Sequence, residues 1–127
     1  MKLFLFIFAG GGLGAVLRYY ISLAVQKAWG GLWPLGTACV NGTGCFLIGF
    51  LAVLMSEKVV PPGLKLCILT GFLGAFTTFS TFSLETLNLL KAGEYGLCGL
   101  NVLVNNGAGL LLVYAGTLAA NLALKWL

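Results

Sequence analysis

Histidine and aspartate do not occur in this chain, and glutamate occurs only at Glu57, Glu85 and Glu94. General acid–base catalysis, hydrolytic triads and paired-carboxylate chemistry draw on those residue types, so their scarcity argues against an enzyme. The four cysteines (Cys39, Cys45, Cys67 and Cys98) form no C-x-x-C pair and have no histidine to join them. That spacing speaks against zinc or redox use and for buried structural thiols. Charge is sparse as well: 8% of the 127 residues are charged and 60% are hydrophobic, where a soluble domain carries about 25% charged residues. The formal net charge of +4 comes from basic residues scattered over loops and ends. Scattered lysines anchor to lipid head groups and offer no basic face, so no nucleic-acid partner is expected.

What remains is apolar, with a mean hydropathy of +1.04. Uncharged stretches run from Leu3 to Leu17, Leu32 to Met55, Leu66 to Leu84 and Tyr95 to Leu124. A spanning helix needs roughly 20 apolar residues. The pattern predicts an all-α membrane protein with helices at approximately 2–29, 32–56, 62–91 and 95–126, in one transmembrane domain over 1–127. Lys2 followed by Leu3 to Phe8 imitates a secretory signal and is read as the start of the first helix. Four spans place both termini on the side of Lys2, Lys58, Lys65 and Lys125, with Lys27 and Lys91 opposite. So weak a bias either fixes one orientation or permits insertion both ways up, which allows an antiparallel, dual-topology homodimer. Four helices alone are too few to enclose a lined pathway. The 19 glycines, about twice average usage, let helix backbones approach closely in lipid. No G-x-x-x-x-G-K-[ST] loop is present to give them a nucleotide role.

The third stretch carries the chemistry. Gly71-Phe72-Leu73-Gly74-Ala75-Phe76-Thr77-Thr78-Phe79-Ser80-Thr81-Phe82-Ser83 mixes glycines, hydroxyls and phenyl rings in a pattern hostile to a plain helix. It predicts a third helix broken at mid-membrane, near residues 75–80. Irregular backbone at that depth survives only against protein or a wet cavity, which points to an ion or small solute. Carbonyls freed at the break, Gly74 and Thr77 first, can coordinate an alkali cation, while the restarting helix turns N–H groups toward anions. Phe79 and Phe82 share a face, and the positive edge of a phenyl ring can hold an anion without a full charge. Ser80, Thr81 and Ser83 add hydroxyl donors. Glu85, one turn beyond Phe82, either continues that polar line or is a solvated residue near the helix end.

Arg18 lies about ten residues from either end of the first helix, where a guanidinium costs at least a few kcal/mol and is rarely incidental. It either draws anions into a water-filled vestibule or serves structure, by partnering freed carbonyls or Glu85 or by snorkelling to the interface. Asn41, midway along the second helix, serves either as interhelical glue or as an amide donor to an anion. Asn101, Asn105 and Asn106 put three amides in the fourth helix, spaced to share a face, for pore lining or for packing.

Together these residues resemble the Fluc (CrcB) family of fluoride channels. The matching stretches are Gly10-Gly11-Gly12-Leu13-Gly14 with Arg18-Tyr19, then Gly36-Thr37, Val40-Asn41, Gly44, Phe46 and Gly49, then Thr70-Gly71-Phe72 through Thr77-Thr78-Phe79-Ser80-Thr81-Phe82. The third is highly specific, and the resemblance covers nearly the whole chain. It implies an antiparallel homodimer with two pores that conducts fluoride passively out of a microbial cell, across the inner membrane. On that pattern Phe79 and Phe82 are the pore-facing rings, Asn41 a pore amide, and Ser80, Thr81 and Glu85 a polar track. Arg18 sits at a vestibule, and Gly74 and Thr77 offer backbone carbonyls to a central structural sodium ion. Two rivals remain: a small dual-topology multidrug exporter, which needs a carboxylate where this chain has Arg18, and a membrane scaffold subunit that transports nothing.

Overall fold

The computed structural model describes residues 2–126, without the side chain of Lys2; Met1 and Leu127, the ends of the expected domain, lie outside the described residues. The chain is all-helical, and four helices are long and apolar enough to cross a membrane: Leu3–Trp29, Leu35–Glu57, Pro62–Lys91 and Tyr95–Leu124. They are called the first to fourth spans below.

Local chemistry sets the boundaries. The first helix ends at Trp29, and Gly30 follows with a positive φ of 67°. Gln26 then ties the turn to what comes next. Its Nε2 donates to the Gly31 and Trp33 carbonyls at 2.9 and 3.2 Å, and its Oε1 accepts from the Gly36 N–H at 3.1 Å. The second helix therefore starts at Leu35, three residues later than hydropathy alone suggests, because Leu32, Trp33 and Pro34 build that turn. Pro61 and Pro62 open the third span, with Pro62 in the first turn, where the missing N–H is no loss. That span closes on Gly93 at φ 79°, with Glu94 N–H bonded to Leu89 and Gly93 N–H to Leu90, the paired bonds of a Schellman stop.

Two stretches wind more loosely than an α-helix. Leu66–Leu73 and Val104–Ala108 are π-helical. The first ends one turn before the interruption at Thr77 and Thr78, and the second contains Asn105, one turn after the buried Asn101.

Packing follows the small residues. A Cβ on Gly10 would strike the Cys67 carbonyl, and one on Gly14 the Phe72 carbonyl. One on Gly49 would strike the Val113 carbonyl, and one on Gly116 the Phe46 carbonyl. The first span thus seats against the π-helical start of the third, and the second against the fourth, backbone on backbone. The interior holds Val40, Leu73, Phe76 and Phe82 together with two buried polar residues, Thr37 and Asn101. Outward stand Phe4, Phe8, Leu13, Tyr19, Leu110 and Tyr114, large and exposed as lipid requires.

Candidate functional site

The third span leaves helical geometry for two residues. Thr77 has φ −86° and ψ 154°, and Thr78 has φ −146° and ψ 112°, both extended. An extended residue turns its N–H and C=O away from its own chain, and in a membrane-length span both need partners. Asn41 supplies both. Its Oδ1 accepts from the Thr78 N–H at 2.7 Å and its Nδ2 donates to the Thr78 carbonyl at 3.1 Å. One side-chain amide thereby does for Thr78 what a neighbouring strand would do.

Thr78 in turn starts the next helix. Its hydroxyl oxygen accepts from the Thr81 N–H at 3.2 Å, an N-cap, while its hydroxyl donates to Thr81 Oγ1 at 2.9 Å. Ser80 Oγ lies 3.4 Å from the same oxygen, at the exposed rim. Phe79–Lys91 follows as a regular helix.

This rearrangement leaves carbonyls behind. The Thr78 N–H is committed to Asn41 and the Thr81 N–H to Thr78, so among the described residues neither the Gly74 nor the Thr77 carbonyl receives the i+4 bond of a continuous helix. Gly74 is exposed and Thr77 half-buried. The Ala75 carbonyl between them is filled by Arg18, whose Nε donates to it at 3.1 Å. Of the two roles open to Arg18, the arrangement displays the contact with a carbonyl at the interruption; Glu85 is bonded elsewhere.

Beside the interruption lies a cavity of about 310 Å³, with Asn41, Thr77, Thr78, Phe79, Phe82 and Asn105 among its walls. The two rings are neighbours, 5.3 Å between centroids and inclined at 59°, close enough to present edge and face together. Their surroundings differ sharply: Phe82 is 6% exposed and Phe79 is 74% exposed. A second cavity of about 210 Å³ brings Thr81 and Glu85 together with Thr37, Ser22 and Tyr19. There the Thr37 hydroxyl donates to Glu85 Oε1 at 2.7 Å, and Glu85 Oε2 is buried without a partner among the described residues. Glu85 thus points inward, joined to Thr81 by the cavity wall.

Two residues matter more than sequence reading assigned them. Thr37, named in the sequence only within the matching stretch of the second helix, is the donor that holds Glu85. Asn105 accepts from Asn41 Nδ2 at 2.8 Å, which ties the fourth span to the interruption in the third. Its spacing of four from Asn101 was the available signal, because an i, i+4 amide pair within an apolar span marks one polar line. The expectation that all three amides share a face needs correction. Asn101 is fully buried and bonded to Asn105, whereas Asn106 is exposed and its amide donates back to the Val102 carbonyl at 2.9 Å.

Comparison with known proteins agrees along nearly the full length. The family described as CrcB-like protein, Camphor Resistance (CrcB), matches residues 5–117. A Magnetococcus marinus protein named "Fluoride-specific ion channel FluC" is 46% identical over 114 residues, 89% of this chain and 93% of its own length. Proteins of the same name are 43% identical in Legionella pneumophila (strain Lens), over 95% of this chain and 91% of theirs, and in a Hydrogenobaculum species, over 89% and 93%. These relatives are named as ion channels and not as enzymes. The chain belongs to the CrcB family.

Proposed function

We propose that this CrcB-family protein is a fluoride-selective channel that lets the anion leave the cell down its gradient. The observation that carries the reading is the Asn41 clamp on Thr78, which stabilises an irregular backbone beside a cavity edged by Phe79 and Phe82. The names of its relatives supply the ion. Fluoride is small and tightly hydrated, so a filter must replace water with close donors and still release the ion. Ring edges at Phe79 and Phe82 beside one cavity, the Thr81 hydroxyl in the wall of the next, and the Ser80 hydroxyl at the exposed rim are weak donors within one turn of helix. Glu85 continues the line, with Thr37 holding one of its oxygens. Arg18, bound to the Ala75 carbonyl at a vestibule, raises anion concentration nearby while leaving the rings free of a fixed charge that would trap the ion.

The working unit in this reading is an antiparallel homodimer with two pores, seated in the inner membrane of a microbial cell. Bare carbonyls at Gly74 and Thr77, in an otherwise apolar span, would each cost several kcal/mol against lipid. A second copy covers them together with Phe79. The weak four-to-two bias of lysines between the two sides permits oppositely seated copies. Oxygen-only ligands of this kind suit a hard monovalent cation such as sodium, which would neutralise four carbonyl dipoles at the seam and pin the copies together. Among the described residues no cluster of histidine, cysteine or acidic side chains competes for that ion.

Purified protein in lipid vesicles tests the proposal directly. Fluoride release, followed by electrode once a potassium ionophore balances the charge, is expected, with chloride retained. Comparable chloride release refutes the selectivity, and export of cationic dyes instead of fluoride transfers the chain to the multidrug reading. A dimer that moves neither ion favours the scaffold. Phe79→Ile and Phe82→Ile should each slow fluoride release with the dimer intact, and undiminished release in both removes the rings from the mechanism.

A further inference from the structure

Asn41 is the residue best placed to touch an anion in the cavity, yet its amide is fully occupied. Both amide hydrogens are used, one on the Thr78 carbonyl and one on Asn105 Oδ1 at 2.8 Å. Asn105 passes the pattern on: its Nδ2 donates to both the Oδ1 and the main-chain carbonyl of Asn101, each at 3.0 Å. Asn101 is fully buried, and its Nδ2 donates to Thr86 Oγ1 at 2.9 Å. Thr86 closes the series by donating to the Phe82 carbonyl at 2.7 Å. Every donor in this chain points the same way, from the interruption at Thr78, through the fourth span, back to the backbone of Phe82.

A one-directional series has a consequence that separate bonds do not. An amide can be flipped end for end within the same space, exchanging donor and acceptor. Here a flip of Asn41 would set its oxygen against both the Thr78 carbonyl and Asn105 Oδ1, and its NH₂ against the Thr78 N–H, three repulsions at once. Thr78 opposes the flip at two of these points; the third, and with it the amide's hold on the fourth span, lasts only while Asn105 keeps its oxygen toward Asn41. Asn105 keeps it there because its own NH₂ is held by Asn101, which is held by Thr86. We infer that Asn101 and Asn105 are positioning residues for the conduction path: they fix the orientation of the Asn41 amide and so the extended backbone at Thr78 and the setting of Phe82. The inference rests on the fluoride-channel reading of the same site. It also assigns the π-helical stretch Val104–Ala108 a use, since the looser winding lies where Asn105 must reach across to the second span.

An anion seeking a donor on Asn41 must displace either the Thr78 carbonyl or Asn105. Asn105 is the one whose loss leaves the clamp on Thr78 in place, so its removal frees one amide hydrogen and loosens the amide before it changes the fold.

The test is a double-mutant cycle on fluoride release from vesicles, with the half-saturating fluoride concentration measured beside the rate. Asn105→Ala should slow release about tenfold, the factor one interhelical hydrogen bond in a membrane can set, and should shift half-saturation. Asn41→Ala/Asn105→Ala should be no slower than Asn41→Ala alone, because Asn105 acts through Asn41. Asn121→Ala, an exposed amide of the same span away from the cavity, should move neither quantity. If Asn105→Ala does not yield a dimer, Asn105→Leu keeps the volume without polar atoms and is expected to give the same loss and the same coupling. Rates that multiply independently in the double variant, or an Asn105 variant that folds and conducts as the original, overturn the positioning role. Wild-type protein that releases no fluoride sinks the channel reading instead, so the two failures are distinguishable.

Discussion

Two seams hold this molecule together, and they are built from opposite materials. Along one, glycines bring backbones into contact: Gly10 and Gly14 of the first span lie against the carbonyls of Cys67 and Phe72, and Gly49 and Gly116 join the second and fourth spans in the same manner. Along the other, amides and hydroxyls meet across a two-residue interruption: Asn41, Thr78, Asn105 and Asn101. The first seam fixes distance, because nothing can be added between two backbones. The second fixes orientation, because each amide has a donor end and an acceptor end. A path for a small anion needs both, a rigid frame and a polar lining whose donors cannot turn away.

The sharpest way to break that contrast is to add one carbon to the glycine seam. Gly10→Ala or Gly49→Ala places a Cβ on a main-chain carbonyl that cannot move aside. A loss of about 3 kcal/mol or more is expected, at or above the upper range of overpacking penalties, read as failure to recover folded dimer on gel filtration. Recovery of both variants in normal yield would mean the backbones are not in contact.

Next in size is the polar seam. Asn41→Ala strips partners from both the N–H and the carbonyl of Thr78, at about 1–3 kcal/mol for each group left unpaired. The variant should unfold earlier in a denaturant titration and lose most fluoride release. A variant of normal stability that has lost release would separate lining from scaffolding, and normal behaviour in both would dissolve the clamp.

Thr37→Val should have a smaller effect, on the order of 1 kcal/mol, from one lost charge-assisted bond to Glu85. Slower release with restoration by Thr37→Ser would tie the hydroxyl to conduction, whereas failure of serine to restore it would point to packing. Smallest of all is Gly12→Ala. A Cβ there meets nothing within 4 Å in the single chain, so helix propensity alone predicts a gain of about 0.5–1 kcal/mol. A loss of dimer in this variant would instead locate a second copy against that face.

Much of this was legible from residue types. Four apolar runs separated by lysines and glutamates delimit the four spans, because lipid leaves few alternatives for a charged side chain. The start of the second helix was not, since Leu32 and Trp33 are apolar and yet belong to a turn organised by Gln26, and hydropathy does not register a side chain bonded to backbone. Nor could the π-helical winding of Leu66–Leu73 be read, because hydropathy does not distinguish windings and the close seat of Gly71 against Ile7 and Gly10 is visible only in the fold. At the site, residue identities named the candidates, but only the fold pairs Asn41 with Asn105 across 64 positions of sequence, and Thr37 with Glu85 across 48. The difference between Phe79 and Phe82 was equally hidden. Their three-residue spacing puts them on one face, while the curvature of the packing buries one ring and leaves its neighbour outside.

The central claim is that this seam passes a lone anion, without exchange for anything else. Vesicles loaded with potassium fluoride and diluted into fluoride-free buffer decide it, because an uncompensated anion builds a voltage that stops its own flow. The account predicts that an electrode records little release until a potassium ionophore is added, then rapid loss of the trapped fluoride. Release equally fast without the ionophore, or none with it, would contradict the account.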